Sequence, residues 1–173
     1  YHYLCTQGYI VTAVDSRGTG ARGQEFRKCT YQKLGILESD DLIAAAKYLG
    51  NQSYIDENRM AIWGWSYGGF TTLMSMSRGN GIFKAGVAIA PVTDWKYYDS
   101  VYTERFMRTP QENYANYDLC SPIKLADQLQ GNLLLIHGTA DDNVHYQNTM
   151  YYSDALVNAG KQFDMQIYSN NNH

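Results

Sequence analysis

The stretch "AIWGWSYGGF", residues 61 to 70, runs from apolar Ala61 and Ile62 into three glycines set around one serine. With "RM" before it and "TTLMSMSRG" after it, the segment reads as a strand, a tight turn and a helix. A G-x-S-x-G at such a junction is a nucleophile elbow: the glycines permit a strained turn with close backbone contacts, which holds the serine hydroxyl out at the carboxyl edge of a sheet. Gly64, Ser66 and Gly68 satisfy the pattern, and Gly69 adds room. Gly and Ser are common enough that the pattern alone is weak; its strand and helix context carries it.

The same alternation repeats along the chain. "YIVTAV" (Tyr9 to Val14) is a β-rich run closed by the turn cluster "DSRGTG". "ESDDLIAAAKYLG" places Leu42, Ala45, Ala46 and Leu49 at helical spacing, with acidic residues in front and Gly50 as a stop. "FKAGVAIAP" and "NLLLIHG" are continuous apolar runs of strand type. "QNTMYYSDALVNAG" is a helix with Tyr152, Ala155, Leu156 and Ala159 on one face, and "FDMQIYSNNNH" alternates into a polar tail. Five strand candidates separated mostly by helix candidates predict an α/β domain: a mostly parallel sheet with helices on both faces.

A chain of 173 residues has room for one domain with a sizeable core. Its first residue falls inside an apparent structured segment and its last directly follows a strand, so it reads as a domain truncated at both ends. A formal charge of -3 with no basic cluster argues against a nucleic-acid partner. No apolar run approaches the roughly 18 residues that span a bilayer, and "YHYLCTQGYIV" lacks the layout of a signal peptide, so the chain reads as soluble. Cys5, Cys29 and Cys120 are too scattered for a zinc site or a disulfide framework, so neither metal nor cofactor is expected.

A serine hydroxyl is a poor nucleophile at neutral pH; it needs a base to take its proton and a carboxylate to orient that base. On an elbow-type sheet these partners follow in the order Ser, Asp, His, each after a later strand. "LLLIHGTADDNVH" supplies Asp141 and Asp142 just past one strand, and His173 follows the last. Asp141, the earlier of the pair, is the preferred orienter. His2 precedes the serine, while His137 and His145 flank the acidic loop and are poorly placed to lie across from it, which leaves His173 as the base. Taken singly, each residue has a blander account, with Asp141 capping the following helix and His173 a polar end. Type, order and strand context together favour the triad.

Three motifs, "WGWSYGG", "HGTADDNVH" and "WKYYDSVYTER", together resemble the catalytic domain of the prolyl oligopeptidase family, and the second and third are specific to its dipeptidyl peptidase IV branch. The likeness runs from "DSRGTG" to His173. It implies an α/β-hydrolase domain that releases N-terminal dipeptides whose penultimate residue is Pro or Ala. Carried over by motif, Ser66 is the nucleophile, His173 the general base and acid, Asp141 its orienter, and the Tyr67 N–H an oxyanion donor. By the same resemblance Tyr67, Trp95, Tyr98, Tyr102, Val92 and Val144 line a proline pocket, and Asn143 holds the substrate carbonyl. Spacing alone puts Trp95, Tyr98 and Tyr102 on one face if "DWKYYDSVYTER" is helical, an arrangement equally suited to ordinary core. Glu104, Arg105, Asp15 and Arg17 are expected to serve structural ion pairs.

In the family a second oxyanion donor, a tyrosine hydroxyl, and a pair of amine-anchoring glutamates on a β-propeller lie before the stretch corresponding to residue 1. The resemblance therefore implies that these 173 residues alone are weakly active or inactive. It also implies peptides with penultimate proline as partners, allows a homodimer of the longer protein, and places the family outside the cytoplasm. Two other readings stand beside it: a related endopeptidase or acylaminoacyl peptidase, and a non-catalytic interaction protein on a hydrolase scaffold. A plain carboxylesterase is weaker.

Overall fold

The computed structural model describes residues 1–173. Four parallel strands, β1 (Ala61–Trp65), β2 (Ala85–Ile89), β3 (Asn132–Gly138) and β4 (Asp164–Tyr168), lie side by side in sequence order. Each step across the sheet needs a crossover that returns the chain to its starting edge. Helix α1 (His2–Thr6), α2 (Gln24–Lys28) and α3 (Ile36–Gly50) precede the sheet; α4 (Tyr67–Arg78) joins β1 to β2, and α7 (Gln147–Asn158) joins β3 to β4. Between β2 and β3 the chain makes a longer excursion through α5 (Ser100–Met107), α6 (Tyr114–Leu119) and 3₁₀ turns at Trp95–Tyr97 and Pro122–Gln128.

The pairing register sets Gly64 beside Ala88, and Ala88 beside Leu135. Residues of one strand alternate between faces, so this row and the row of Ile62, Gly86 and Leu133 share a face. There Ala88, Leu133 and Leu135 pack with Leu73 and Met76 of α4 and with Tyr152 and Leu156 of α7. The Met76 thioether occupies the space that a side chain on Gly86 would need. The opposite face is thinly covered: Tyr1, at the start of α1, rests on Trp63 with ring centroids 5.9 Å apart, yet Trp63 and Trp65 remain 49% and 54% exposed. The expected helical layers are thus unequal, one thick and one slight.

Tyr9–Val14 does not form the fifth strand expected from its composition. The run is irregular, and Tyr9, Ile10 and Val14 are exposed. β1 is the edge of the sheet, and a cavity of about 1310 Å³, lined by Thr12, Ala13 and Val14 on one side and Ala61–Trp65 on another, separates the two. A β-rich run without a partner at hydrogen-bonding distance has no ladder, and side-chain preference does not replace one.

The helix predicted from Glu38 to Gly50 begins two residues earlier, at Ile36. Glu38 Oε2 accepts from the Gly35 N–H (2.9 Å), which satisfies one of the first-turn donors. α3 is fastened to α4 through Arg78, which donates to the Ile36 carbonyl (2.8 Å) and pairs with Asp40 (2.9 Å). No helix is long and apolar enough to cross a membrane.

The tightest joint is the approach of α4 to β1. A Cβ on Gly64 would collide with the backbone of Gly68, whereas one on Gly68 would meet nothing within 4 Å. Backbone cannot yield as a flexible side chain can, so Gly64→Ala is expected to lower stability by about 3 kcal/mol, and Gly68→Ala to change it by less than about 1 kcal/mol. Urea unfolding of the two variants against wild type checks the contrast.

Candidate active site

Three strands deliver three polar side chains to the carboxyl edge of the sheet, where ligands bind in open α/β folds. β1 is followed directly by Ser66, which has φ 58° and ψ -118°. This left-handed backbone is uncommon for a residue with a Cβ and marks local strain. The strain thus sits on the serine itself, while Gly64 and Gly69 supply close approach: a Cβ on Gly69 would stand 2.9 Å from the Ile89 carbonyl oxygen. The Ser66 N–H is tied to that carbonyl (2.8 Å). Its hydroxyl does not cap α4. Tyr67 is the first residue of that helix, whose first-turn N–H groups have no acceptor inside it and carry the positive end of its dipole.

Past β3 the chain turns at Asp141, whose carboxylate is buried and receives bonds on both oxygens. Oδ1 accepts from the N–H groups of Asn143 (3.0 Å) and Val144 (2.9 Å). Oδ2 accepts from His173 Nδ1 at 2.7 Å. Asp141 therefore does not cap the following helix: its backbone bonds stay within its own loop, and α7 begins only at Gln147 after Tyr146. Asp142 is exposed. The tail after β4 is folded back over this loop by Thr139 N–H to the Tyr168 carbonyl (3.0 Å) and Ala140 N–H to the Asn171 carbonyl (3.0 Å), which sets His173 down on Asp141. The His173 ring also lies 5.4 Å from that of Trp65, next to the serine. A carboxylate only accepts, so His173 carries its proton on Nδ1, which leaves Nε2 with a free lone pair.

His137, set aside in the sequence because it flanks the acidic loop, is indeed not across from Asp141. It lies directly against it. Its ring is fully buried, with Nε2 3.1 Å from Asp141 Oδ2 and 2.8 Å from the Val144 carbonyl, and Nδ1 2.7 Å from Thr149 Oγ1. Burial lowers its pKa from the ordinary value, so the ring is neutral. The signal that could have found it was its place at the end of a buried strand, four residues before the aspartate.

The aromatic group assembles, though not on one helix. Trp95 lies in a 3₁₀ turn, Tyr98 is extended (φ -112°, ψ 163°), and α5 begins at Ser100, capped by Asp99 (2.8 Å to the Tyr102 N–H). Trp95 and Tyr102 are stacked, centroids 6.0 Å apart and planes 17° apart, and Tyr98 meets Tyr102 edge-on at 5.3 Å. Tyr67 reaches Trp95 at 5.7 Å. Val92 and Val144 are buried in the same cluster. The Tyr98 hydroxyl donates to Asn143 Oδ1 (2.7 Å), tying the aromatic segment to the acidic loop.

Of the expected ion pairs, Arg17 makes one, gripping Asp41 of α3 with Nε (3.0 Å) and Nη2 (2.6 Å). Asp15 does not share it. Arg105 and Glu104 form none: the Arg105 guanidinium lies over the Phe106 ring at 4.5 Å, where its planar face gains from the π-system. Glu38 was not singled out in the sequence, yet its buried Oε1 accepts from the Tyr67 hydroxyl at 2.6 Å. It therefore fixes the ring of the residue that follows Ser66. The 1310 Å³ cavity touches Trp65, Tyr67 and Tyr102 but not Ser66, Asp141 or His173, because it follows the free edge of β1 rather than the strand ends. No group of three or more His, Cys, Asp or Glu side chains is arranged to hold a metal ion.

A parallel sheet with a serine elbow after β1 and partners after β3 and β4 defines the α/β-hydrolase fold. Residues 1–173 match the prolyl oligopeptidase family along their whole length, and the chain belongs to that family. Among solved structures it is similar to Porphyromonas gingivalis dipeptidyl peptidase 4, with 63% identity and a TM-score of 0.98 over 99% of this chain and 24% of that one. A putative dipeptidyl aminopeptidase IV of Bacteroides ovatus superposes with a TM-score of 0.89 at 42% identity, over 92% of this chain and 22% of that one. A probable dipeptidyl-aminopeptidase B of Arthroderma benhamiae is 50% identical over 170 residues, 96% of this chain and 19% of the relative. The chain thus spans about a fifth to a quarter of the length of these relatives.

Burial raises the Glu38 carboxyl above its ordinary pKa, against the bonds from Tyr67 and Gly35 that lower it. The folded state then holds this proton more tightly than the unfolded chain, so the burial cost is absent below the unfolded pKa and complete above the folded one. Glu38→Gln does not titrate. The stability of wild type relative to this variant should fall as pH rises from about 4 through the raised value, as urea midpoints measured across pH will register.

Proposed function

We propose that this domain is the catalytic part of a serine exopeptidase that releases N-terminal dipeptides with penultimate Pro or Ala. The observation that carries the reading is the 2.7 Å bond from His173 Nδ1 to buried Asp141, beside a serine held at positive φ on the same sheet edge. His173 Nε2 takes the Ser66 proton as Oγ attacks the carbonyl carbon of the second residue. The oxyanion forms at the Tyr67 N–H, a donor worth several kcal/mol where water is excluded. His173⁺, held by Asp141, then gives its proton to the departing amine, leaving a dipeptidyl ester on Ser66. Water, deprotonated by the same imidazole, hydrolyses the ester and restores the hydroxyl.

Proline preference follows from rings that face one another without a long side-chain channel. A pyrrolidine packs among Tyr67, Tyr98 and Tyr102, backed by buried Trp95, Val92 and Val144 of the same cluster. Because Asn143 Oδ1 is occupied by Tyr98, its amide N–H₂ is the group free to donate to the substrate carbonyl. The domain alone offers the Tyr67 N–H to the oxyanion, and the loss of one donor costs about 10² to 10³ in rate. We therefore include in the proposal that the 173-residue chain by itself is weakly active, with full activity in a longer protein.

The test is fluorophosphonate labelling read by intact mass, together with hydrolysis of Gly-Pro amides and acetyl esters by the longer protein. A single adduct is expected, absent in Ser66→Ala. Asp141→Asn should lower kcat by about 10⁴, while Asp142→Asn leaves it near wild type. Preference for the acetyl ester would point to a carboxylesterase, and an unlabelled but folded protein to a non-catalytic one. Gly-Pro amide turnover by the 173-residue chain equal to that of the longer protein would refute the claim of weak activity.

A further inference from the structure

Asp141 makes more bonds than orienting one imidazole requires. A carboxylate has about four acceptor positions, and all four are filled: two by backbone N–H groups on Oδ1, one by His173 on Oδ2, and one by His137 on the same Oδ2. The backbone pair fixes one oxygen within the loop. The other oxygen, which His173 uses, is held by a second imidazole.

The tautomer of His137 follows from its neighbours. The Val144 carbonyl, 2.8 Å from Nε2, can only accept, so Nε2 carries the proton and shares it between that carbonyl and Asp141 Oδ2 at 3.1 Å. Nδ1 is then an acceptor and receives the Thr149 hydroxyl at 2.7 Å. Thr149 is itself fully buried on α7, and the edge of the Tyr146 ring packs on the imidazole at 5.6 Å and 83°. The ring therefore has one orientation and one tautomer, both imposed from β3, the acidic loop and α7. The titratable groups around it are Asp141, His173 and Tyr146.

We propose that His137 is a positioning residue of the catalytic apparatus, whose Nε2–H fixes Asp141 Oδ2 and shares its charge with His173. The proposal rests on the triad reading given above. A neutral donor on the carboxylate has two effects. It adds to the Oδ1 bonds in preventing rotation of the carboxylate away from the tail-borne His173. It also spreads the negative charge, so that Asp141 stabilises protonated His173 less strongly than an otherwise bare carboxylate would.

The second effect separates positioning from simple packing. In the full-length protein, His137→Phe removes the donor and keeps a flat, slightly larger ring. Its kcat for a Gly-Pro amide should fall by up to about 10²-fold with little change in KM, and the acid limb of kcat/KM should move to higher pH by about half a unit. His137→Gln, whose amide N–H can reach Oδ2, should recover most of both. Thr149→Val, which touches neither Asp141 nor His173, should give a smaller move of the limb in the same direction, and it decides the matter if His137→Phe fails to fold.

Variants that keep the wild-type kcat and acid limb overturn the proposal. So does a loss of activity that tracks the folded fraction while the limb stays in place. Ser66→Ala and Asp141→Asn, measured alongside, keep the two readings apart. If either retains activity, the triad itself is wrong; if both are inactive while the His137 variants behave as wild type, only the role of His137 is lost.

Discussion

The contact on which the arrangement depends is backbone against backbone, where α4 meets the end of β1 at Gly64 and Gly68. Two main chains can come this close only where no Cβ intervenes. That approach shortens the turn to a single residue and obliges Ser66 to take a positive φ. The strain is local and is repaid by the fold on both sides: β1 is paired along its length with β2, and α4 buries Leu73, Met74 and Met76. A strained residue persists when its surroundings determine it more than once. Here they do, and the result is a hydroxyl lifted clear of both the helix cap and the sheet ladder.

The polar chemistry is organised around Asp141 in the same economical way. One carboxylate ties its own loop through Oδ1 and gathers two histidines through Oδ2. Because the aspartate is buried, each of these bonds acts in a low dielectric, and leaving one unmade would be costly. The tail bearing His173 makes no secondary structure after β4, yet it is placed by bonds to the loop that bears Asp141. The proposed general base and the carboxylate that orients it are therefore positioned by the same few residues at the ends of β3 and β4.

The aromatic cluster shows a different kind of constraint. Trp95, Tyr98 and Tyr102 meet across a 3₁₀ turn and a helix start, so no single helical spacing brings them together. Trp95 is buried among Phe70, Met74, Val92 and Val144 and meets the rings of Tyr67, Tyr98 and Tyr102. Glu38, arriving from α3, clamps Tyr67 from behind through a buried hydrogen bond, and Asn143 secures Tyr98. Two polar anchors from separate elements thus fix the edges of an apolar surface.

The sequence by itself determined the elbow, the order of Ser66, Asp141 and His173 along the chain, three of the main helices and four of the strands. These depend on local chemistry: glycine at a close turn, apolar periodicity, and polar residues just past apolar runs. Ser, Asp and His are legible because each follows a strand whose apolar run announces it. The tertiary structure alone decided what Tyr9–Val14 does, since a strand exists only through its neighbour and the edge of β1 faces a cavity instead. The sequence preferred Asp141 to Asp142 only by its earlier place in the loop; folding is what buries Asp141 and leaves Asp142 exposed. It also brought in Glu38 and His137, whose importance lies in contacts with residues 29 positions away for the first and in a shared carboxylate oxygen for the second. Neither periodicity nor spacing records which way a buried polar side chain turns, because that is settled by the partners folding brings within reach.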